Sequence, residues 1–342
     1  MKNLQPQGVW NNFYSLTQIP RPSGKKEEVS AFLADYGRSL GLETIVDGIG
    51  NVIIRKPASP GYENHPGVIL QGHMDMVPQK NNDTDFDFAN DPIEAYIDGE
   101  WVTAKGTTLG ADNGIGVAAA MAILADKSVV HPPLEVLVTV DEETGMYGAF
   151  ALEGGLLQGK TLLNLDSEAE GELYVGCAGG VDTTAKFAYT PVEVEEGDVA
   201  IKVSLTGCKG GHSGCDIHLQ RANANKLLFR FLKEAVANYE ARLACVEGGS
   251  LRNAIPREAS AIITVPAEGV DDIMDLVAEC EDLFVAEYDG VEDNIRLTAE
   301  EVACPATELP EDVQDFLIHA ITACPHGVYR VIPEMPDVVE TS

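Results

Sequence analysis

The stretch Leu134-Glu135-Val136-Leu137-Val138-Thr139-Val140-Asp141-Glu142-Glu143-Thr144-Gly145 indicates the fold more strongly than any other. It begins as a largely apolar run and ends in acidic residues. Such runs are typical of strands buried on both faces, in a sheet covered by helices. Binding sites in open α/β sheets lie beyond the carboxyl ends of the strands. The acidic residues after this run are therefore candidates for chemistry.

Three other short motifs share this setting. Val68-Ile69-Leu70 precedes Gly72-His73-Met74-Asp75, and the apolar run 161–165 precedes Asp166-Ser167-Glu168. Gly110-Ala111-Asp112-Asn113-Gly114 opens a predicted helix, rich in alanine and glycine, over 113–126. We therefore predict that separate strands bring histidine and carboxylate side chains to one edge of a sheet. Oxygen ligands with imidazole and no sulfur are typical of a catalytic zinc, manganese or cobalt site.

Each of these residues also has a simpler interpretation when it is taken alone. His73 would be a hydrogen-bonded structural histidine and Asp112 a helix N-cap. Glu142 and Glu143 would be solvent-facing acids, and Asp166 would be a turn residue. Their joint occurrence at strand ends favours a common site. Asp75 follows His73 by two residues along an extended segment, so it would point the same way and orient the imidazole.

Composition narrows the class of protein. The chain has 342 residues, 45% of them hydrophobic, and a net charge of −32, which indicates about two globular domains. So acidic a chain would be repelled by nucleic acid and by anionic membranes, so we expect neither as a partner.

The chain contains no 18-residue apolar stretch, and its first residues lack the apolar core of a signal peptide. Seven cysteines without a C-x-x-C pair indicate reduced thiols and a cytoplasmic location.

The pattern of the chain changes after about residue 180. A half-buried strand near 201–205 is followed by predicted helices over 220–239 and 270–288, and by predicted strands near 242–247, 259–265 and 294–302. The order β-α-β-β-α-β is the ferredoxin-like arrangement. We predict an α/β catalytic domain over 1–180 and an α+β domain over 181–342.

Taken together, these motifs resemble the M20 family of metallopeptidases, and within it the aminoacyl-histidine dipeptidases. The resemblance covers essentially the whole chain. It is carried by residues 71–77, 107–116, 141–145, 163–168, 209–214 and 253–256. It implies a zinc-peptidase-like, mostly parallel sheet with helices on both faces, plus a ferredoxin-like lid domain that also serves dimerisation. It also implies a homodimer.

The resemblance further implies hydrolysis of Xaa-His and other dipeptides by a water activated by two divalent metal ions, zinc foremost, with cobalt or manganese as alternatives. The implied roles are a metal ligand at His73, a bridging ligand at Asp112, further ligands at Glu143 and Asp166, and the general base at Glu142, with Asp75 behind His73. In the lid domain, His212 would polarise the substrate carbonyl or stabilise the tetrahedral oxyanion, and Asn253 would hold the substrate backbone. Taken alone, His212 is a solvated loop histidine and Asn253 a turn residue.

Three alternatives stay open at this point: an M20 tripeptidase, an N-acyl-amino-acid deacylase, and a non-catalytic truncated remnant. Members of the family use a further histidine near the C-terminus to complete the second metal site. None of the seven histidines of this chain lies in that context; His319 and His326 are not convincing substitutes. We therefore expect a C-terminally truncated form that lacks one metal ligand, and residues 331–342 as a strand without its partners.

Overall fold

The computed structural model describes residues 1, 3–167, 171, 173 and 179–342. The chain divides into two compact units, Met1–Gly176 and Cys177–Ser342, each with its own hydrophobic core. Glu168 of the predicted motif lies outside the described residues. The helices and strands of the first unit are α1 Gln7–Thr17, α2 Glu27–Ser39, β1 Glu43–Val46, β2 Val52–Lys56, β3 Val68–His73, β4 Ala95–Asp98, β5 Trp101–Ala104, α3 Ala111–Ala125, β6 Leu134–Thr139, α4 Tyr147–Ala151 and β7 Thr161–Asn164.

A five-stranded sheet in the order β1-β2-β6-β3-β7 forms the centre of the first unit. Strands β6, β3 and β7 run parallel to one another, whereas β1–β2 and β2–β6 are antiparallel. All six residues of β6 are buried, as the apolar run predicts. The α/β class predicted from the sequence is confirmed, with a mixed sheet.

Each face of this sheet packs against different segments. Val52 and Ile54 of β2 share the larger core with helices α1, α2 and α3. Ile53, between them, lies on the opposite face in a smaller cluster, where Leu152, Leu156 and Leu157 cover it. Among the described residues, the second face is thus covered by the loop after α4 rather than by a long helix.

Strand β7 differs from its prediction. The apolar run 161–165 predicts a strand buried on both faces, but all four residues of β7 are exposed, with Leu162 and Leu163 each 48% exposed. The reason is its place at the end of the strand order, where β3 is its pairing partner among the described residues.

The second unit contains the ferredoxin-like order. Its elements are β8 Val192–Glu193, β9 Val199–Thr206, β10 Gly211–His212, α5 Ala224–Asn238, β11 Arg242–Gly248, β12 Ala254–Ile255, β13 Ala259–Val265, α6 Val270–Glu287, β14 Arg296–Val302, β15 Thr307–Glu308, α7 Glu311–Ala323, β16 Arg330–Ile332 and β17 Met335–Thr341, with short 3₁₀ turns at Ile217–Leu219 and Ala267–Gly269. Strands β11, β13, β9 and β14 form an antiparallel sheet in that order, and α5 and α6 pack on it. Asn223 caps α5 by accepting a hydrogen bond from the backbone N–H of Lys226.

The last residues do not form the unpartnered strand that the sequence predicts. Strands β16 and β17 pair with each other in an antiparallel hairpin. None of the helices in the described part of the chain is long and apolar enough to span a membrane.

Candidate metal centre

The three parallel strands of the first unit end at one edge of the sheet. His73 is the last residue of β3 and lies beside Thr139, the last residue of β6. Gln71 of β3 lies beside Asn164, the last residue of β7. The loops after these strands carry Asp75, Glu142 and Glu143, and Asp166, so the fold brings distant motifs to one place, as the carboxyl ends of parallel strands do.

His73 lies at the centre of this cluster and is 1% exposed. Its Nε2 atom lies 2.9 Å from Oδ1 of Asp112, 3.6 Å from Oδ1 of Asp166 and 4.0 Å from Oε2 of Glu142. Burial opposes a positive charge on the ring, but hydrogen bonds with Asp112, Asp166 and Asp75 outweigh it and raise the pKa of His73 to about 12. The imidazole therefore already lies among carboxylate oxygens that can share a cation with it.

Asp75 connects the imidazole to the acidic loop. Its Oδ1 lies 3.3 Å from Nδ1 of His73, and the two carboxylate oxygens accept the backbone N–H groups of Glu142 at 3.0 Å and Glu143 at 3.3 Å. The hydroxyl of Ser23 donates to the same carboxylate at 2.7 Å. Burial acts to raise the pKa of Asp75, but hydrogen bonds with His73 and Ser23 outweigh it and leave the pKa lowered. Asp75 thus orients both the imidazole and the loop that carries the two glutamates.

Asp112 and Asn113 begin the alanine-rich helix α3. The backbone angles of Asp112 and Asn113 are non-helical, so the chain bends where this helix begins. The hydrogen bond with His73 lowers the pKa of the Asp112 carboxyl, although burial opposes it. The side-chain amide of Asn113 donates to Oδ1 of Asp166 at 2.7 Å and to the carbonyl of Leu165 at 2.9 Å. Asn113 therefore fixes Asp166 beside Asp112, a role that the sequence pattern does not indicate.

Glu142 and Glu143 face a crowded set of negative charges. Burial raises the pKa of both carboxyl groups; for Glu143 the value reaches about 8, with the charge of Asp112 as the next cause. Burial and the neighbouring carboxylates therefore both disfavour the ionised form of Glu143 in the metal-free cluster. A divalent cation would offset the repulsion between these carboxylates.

Two groups of ligand atoms in this cluster fit a metal ion. His73, Asp112 and Glu143 form one group, and His73, Glu142 and Asp166 form the other; within each group the ligand atoms lie within 4.8 Å of one another. Imidazole nitrogen and carboxylate oxygen are the ligands expected for zinc and for harder divalent ions. The donor set therefore fits the metal chemistry expected from the sequence.

His212 and Asn253 belong to the second unit and lie next to each other there. His212 of β10 pairs with Ala254 of β12, and the backbone carbonyl of Asn253 accepts the N–H of Ser213 at 2.8 Å. The Nδ1 atom of His212 accepts backbone N–H groups from Gly214 at 3.0 Å and from Cys215 at 3.1 Å. In the neutral ring the proton is therefore on Nε2, which makes His212 a hydrogen-bond donor.

The two histidines near the end of the chain have local partners. Nδ1 of His319 lies 2.7 Å from the carbonyl of Asp315, one helical turn earlier, and Nδ1 of His326 lies 3.1 Å from the side-chain amide of Asn223. Burial lowers the pKa of His326. Neither histidine belongs to the ligand groups found among the described residues.

Sequence reasoning missed the segment Arg21-Pro22-Ser23-Gly24-Lys25-Lys26. Its spacing suggests that Ser23 is the N-cap of the next helix, but α2 begins at Glu27 after Lys26, and the hydroxyl of Ser23 is bound to Asp75 instead. Ser23 and Asp75 are 52 positions apart, so no local pattern could have indicated this contact.

Comparison with known proteins places this geometry in a family. Residues 203–292 match the peptidase dimerisation domain of the M20 peptidases. The chain is 48% identical over all 342 residues to the cytosol non-specific dipeptidase of Escherichia coli K12 and spans 70% of that protein. The chain belongs to the M20 family of metallopeptidases.

The chain is also similar to a solved structure and to a second bacterial protein. The crystal structure of an aminoacylhistidine dipeptidase from Vibrio alginolyticus matches with a TM-score of 0.54 and 49% identity, over 99% of this chain and 69% of that one. The uncharacterized protein YqjE of Bacillus subtilis 168 is 27% identical over 209 residues, which cover 56% of this chain and 53% of that protein.

Proposed function

We propose that the protein is a metal-dependent dipeptidase that hydrolyses Xaa-His and other dipeptides. The observation that carries the proposal is the cluster of His73 with Asp112, Glu142, Glu143 and Asp166 at the carboxyl edge of the sheet. The identity of 48% to a cytosol non-specific dipeptidase supports the choice of substrate over a tripeptide or an N-acyl amino acid. A cytoplasmic location and a homodimer formed through residues 203–292 are part of the same proposal.

The metal-binding residues would be His73, Asp112, Glu143 and Asp166, and zinc is the metal we propose. A bound divalent cation lowers the pKa of water and polarises a carbonyl oxygen. Asp75 would keep Nδ1 of His73 occupied, so that Nε2 faces the carboxylates. Asp112 would bridge the two ions, as the family resemblance implies. Its Oδ1 lies 2.9 Å from Nε2 of His73, the residue that both ligand groups share, and its neighbour Asn113 binds Asp166.

Glu142 is the general base in this proposal. Its side chain is half-buried and the pKa of its carboxyl is raised by burial, which suits a group that accepts a proton from water and passes it to the leaving amine near neutral pH. The backbone N–H of Glu142 donates to Asp75, which holds in place the backbone that carries this carboxyl group.

His212 would donate a hydrogen bond from Nε2 to the oxygen of the scissile carbonyl. Its Nδ1 atom already accepts two backbone N–H groups, so the donor orientation is set before substrate arrives. Asn253, which directly precedes β12 and accepts the N–H of Ser213 next to His212, would hold the backbone of the substrate.

The test is hydrolysis by the purified chain, loaded separately with zinc, cobalt and manganese, of alanyl-histidine and β-alanyl-histidine, with a tripeptide and an N-acetyl amino acid as competing classes. We expect dipeptide cleavage that depends on added metal, with two metal ions per chain. Preferential cleavage of the tripeptide or the N-acyl compound would replace the proposed substrate class. Absence of cleavage together with zero or one bound metal would indicate a non-catalytic protein.

A further inference from the structure

We propose that Arg21 is a positioning residue for the metal cluster, because its buried guanidinium holds the loop after His73 and the loop before Asp112 at a fixed separation. The inference rests on the proposed function only in treating the cluster as a metal site. Arg21 is outside the ligand groups, and it would act through the backbone that carries the ligands.

The guanidinium of Arg21 binds the two loops directly. It is 2% exposed. Nη1 donates to the backbone carbonyls of Met74 at 3.0 Å and Asp75 at 3.2 Å, and Nη2 donates to the carbonyl of Gly110 at 2.5 Å. These carbonyls lie one and two residues after His73 and two residues before Asp112. The rigid, planar fork of an arginine thus joins the segments that supply the closest pair of groups in the cluster.

The glycines of the Asp112 motif make room for this side chain. A Cβ atom at Gly110 would lie 2.7 Å from Nη2 of Arg21, and one at Gly114 would lie 2.6 Å from the same atom. Gly110 also has a positive φ of 71°. Because Gly110 and Gly114 have no side chains, the motif around Asp112 leaves room for the guanidinium of Arg21.

The residues after Arg21 extend the contact to the loop that carries the glutamates. Met76 N–H donates to the carbonyl of Arg21 at 3.1 Å, and the hydroxyl of Ser23 binds Asp75. The N–H of Gly24 donates to Asp141 at 2.7 Å. The segment 21–26, which we call the clamp, thus contacts each of the loops that hold His73, Asp112 and Glu142.

The charge of Arg21 suits this place. Burial lowers the pKa of Arg21 to about 10, which is still well above neutral pH, so a positive charge lies beside Asp75 and Asp112 near pH 7. Burying such a charge is unfavourable unless its partners are well placed. Loss of Arg21 would leave the carbonyls of Met74, Asp75 and Gly110 without this donor and would remove the fixed separation of the two loops.

The first experiment measures hydrogen–deuterium exchange in metal-free protein for wild type, Arg21→Met and a control, Arg55→Met. Arg55 is a mostly buried arginine of β2 that binds Glu135, Glu43 and the carbonyl of Leu156, away from the clamp. We expect Arg21→Met to accelerate exchange of the amides of Met76 and Glu142 about tenfold or more, and Arg55→Met to leave them near the wild-type rate. Wild-type rates in Arg21→Met, or equal acceleration in both variants, would overturn the proposal.

The second experiment measures Co²⁺ affinity from the visible absorption of the bound ion. For Arg21→Met we expect a loss of about 10- to 100-fold, the range typical of groups that orient metal ligands, with Arg55→Met unchanged. Arg21→Lys keeps the charge but has one nitrogen, which cannot hold both loops, so it should also lose affinity. Full recovery by lysine would show that charge alone matters and would refute positioning.

A variant that keeps Arg21 covers the case in which Arg21→Met does not fold. Gly114→Ala crowds Nη2 of Arg21, whereas Gly8→Ala in α1 makes an ordinary contact of 3.4 Å with Ala122. The first should accelerate exchange at Met76 and weaken Co²⁺ binding, and the second should do neither; identical behaviour would count against the clamp. If wild type itself binds no Co²⁺, the proposed function fails, while the exchange experiment, done without metal, still decides the role of Arg21.

Discussion

His73 and Asp75 together orient the groups of the candidate metal cluster. His73 directs Nε2 at the carboxylates, while Asp75 contacts Nδ1 and also accepts the N–H groups of Glu142 and Glu143. One carboxylate therefore sets both the imidazole and the acidic loop. Residue spacing predicts the first of these contacts, because side chains two apart on an extended segment point the same way. The second joins segments 67 positions apart, which no local pattern records.

Glu142→Gln should abolish turnover and leave metal binding largely intact, because it removes the proposed proton acceptor and keeps the size of the side chain. The expected loss in kcat is about 10²–10⁴-fold, the usual contribution of a general base. Activity and bound metal are measured on the same preparation, with the exposed Glu153→Gln as control. Loss of metal along with activity would mean that the roles of Glu142 and Glu143 are exchanged.

Asp112→Ala should remove both metal ions, since we propose Asp112 as the ligand that they share. Metal per chain after dialysis is the measurement. Asp126→Ala, at the exposed C-terminal end of the same helix, is the matched control and should keep the wild-type content. If Asp112→Ala retained two ions, this side chain would have no place in the cluster.

Metal uptake should release protons at neutral pH. With burial and Asp112 raising the pKa of Glu143 to about 8, this carboxyl is mostly protonated at pH 7 in the metal-free protein, and His73, with a pKa of about 12, is charged. A metal ion must displace these protons, so apparent affinity should rise as pH rises towards 8 and fall at lower pH. Calorimetric titration in buffers of different ionisation enthalpy measures the release. Glu143→Gln should release about one proton fewer; heats independent of buffer would contradict the prediction.

At the scale of elements, the ends of strands and the buried faces of helices can be predicted from the periodicity of apolar residues. The solvent exposure of a strand and its contacts with segments distant in sequence cannot. The fully buried β6 and the helix α3 were readable from apolar runs and small residues. The exposure of β7 was not, because an apolar run carries no information about its position in the strand order. The contacts of Arg21 and Asn113 were hidden for a similar reason: their partners become neighbours only after the sheet has formed.

The packing of β3 against α3 can be tested at Gly72. A Cβ atom there would lie 2.2 Å from Oδ1 of Asn113 and 3.3 Å from Cγ2 of Val117. Gly72→Ala should lower the free energy of unfolding by about 1–3 kcal/mol, a typical cost of overpacking. It should also weaken metal binding, because Asn113 holds Asp166.

Urea denaturation of the metal-free protein measures this change. Gly154→Ala is the control, since a Cβ at Gly154 meets open space, and it should stay within about 0.5 kcal/mol of wild type. Equal stability of Gly72→Ala and wild type would show that α3 can move away from β3 without loss.

At the scale of the whole molecule, the chain consists of two units with separate cores, and the candidate metal ligands lie in the first. The order of predicted elements was sufficient to recognise both kinds of unit. The domain boundaries 1–180 and 181–342 and the role of each site residue stay predictions. Amino-acid composition cannot supply the boundaries or the roles, because it contains no information on which strands pair or how far apart the side chains lie.

Metal should stabilise the two units unequally. A ligand at 100 times its Kd adds about 2.7 kcal/mol, which for a unit of this size raises the unfolding temperature by about 5–10 °C. Scanning calorimetry with zinc and with a chelator should therefore shift one transition and leave a second unchanged. A single transition that moves as a whole would contradict this, and so would two transitions that shift together.

The exposure of strand β7 affects how the protein behaves in solution. Among the described residues, β7 pairs on one side only, with β3, and its Leu162 and Leu163 are half-exposed, a combination that natural proteins usually shield. We expect this edge of the sheet to favour association between chains at high concentration. Leu162→Lys, which adds a charge to this edge, should reduce that association.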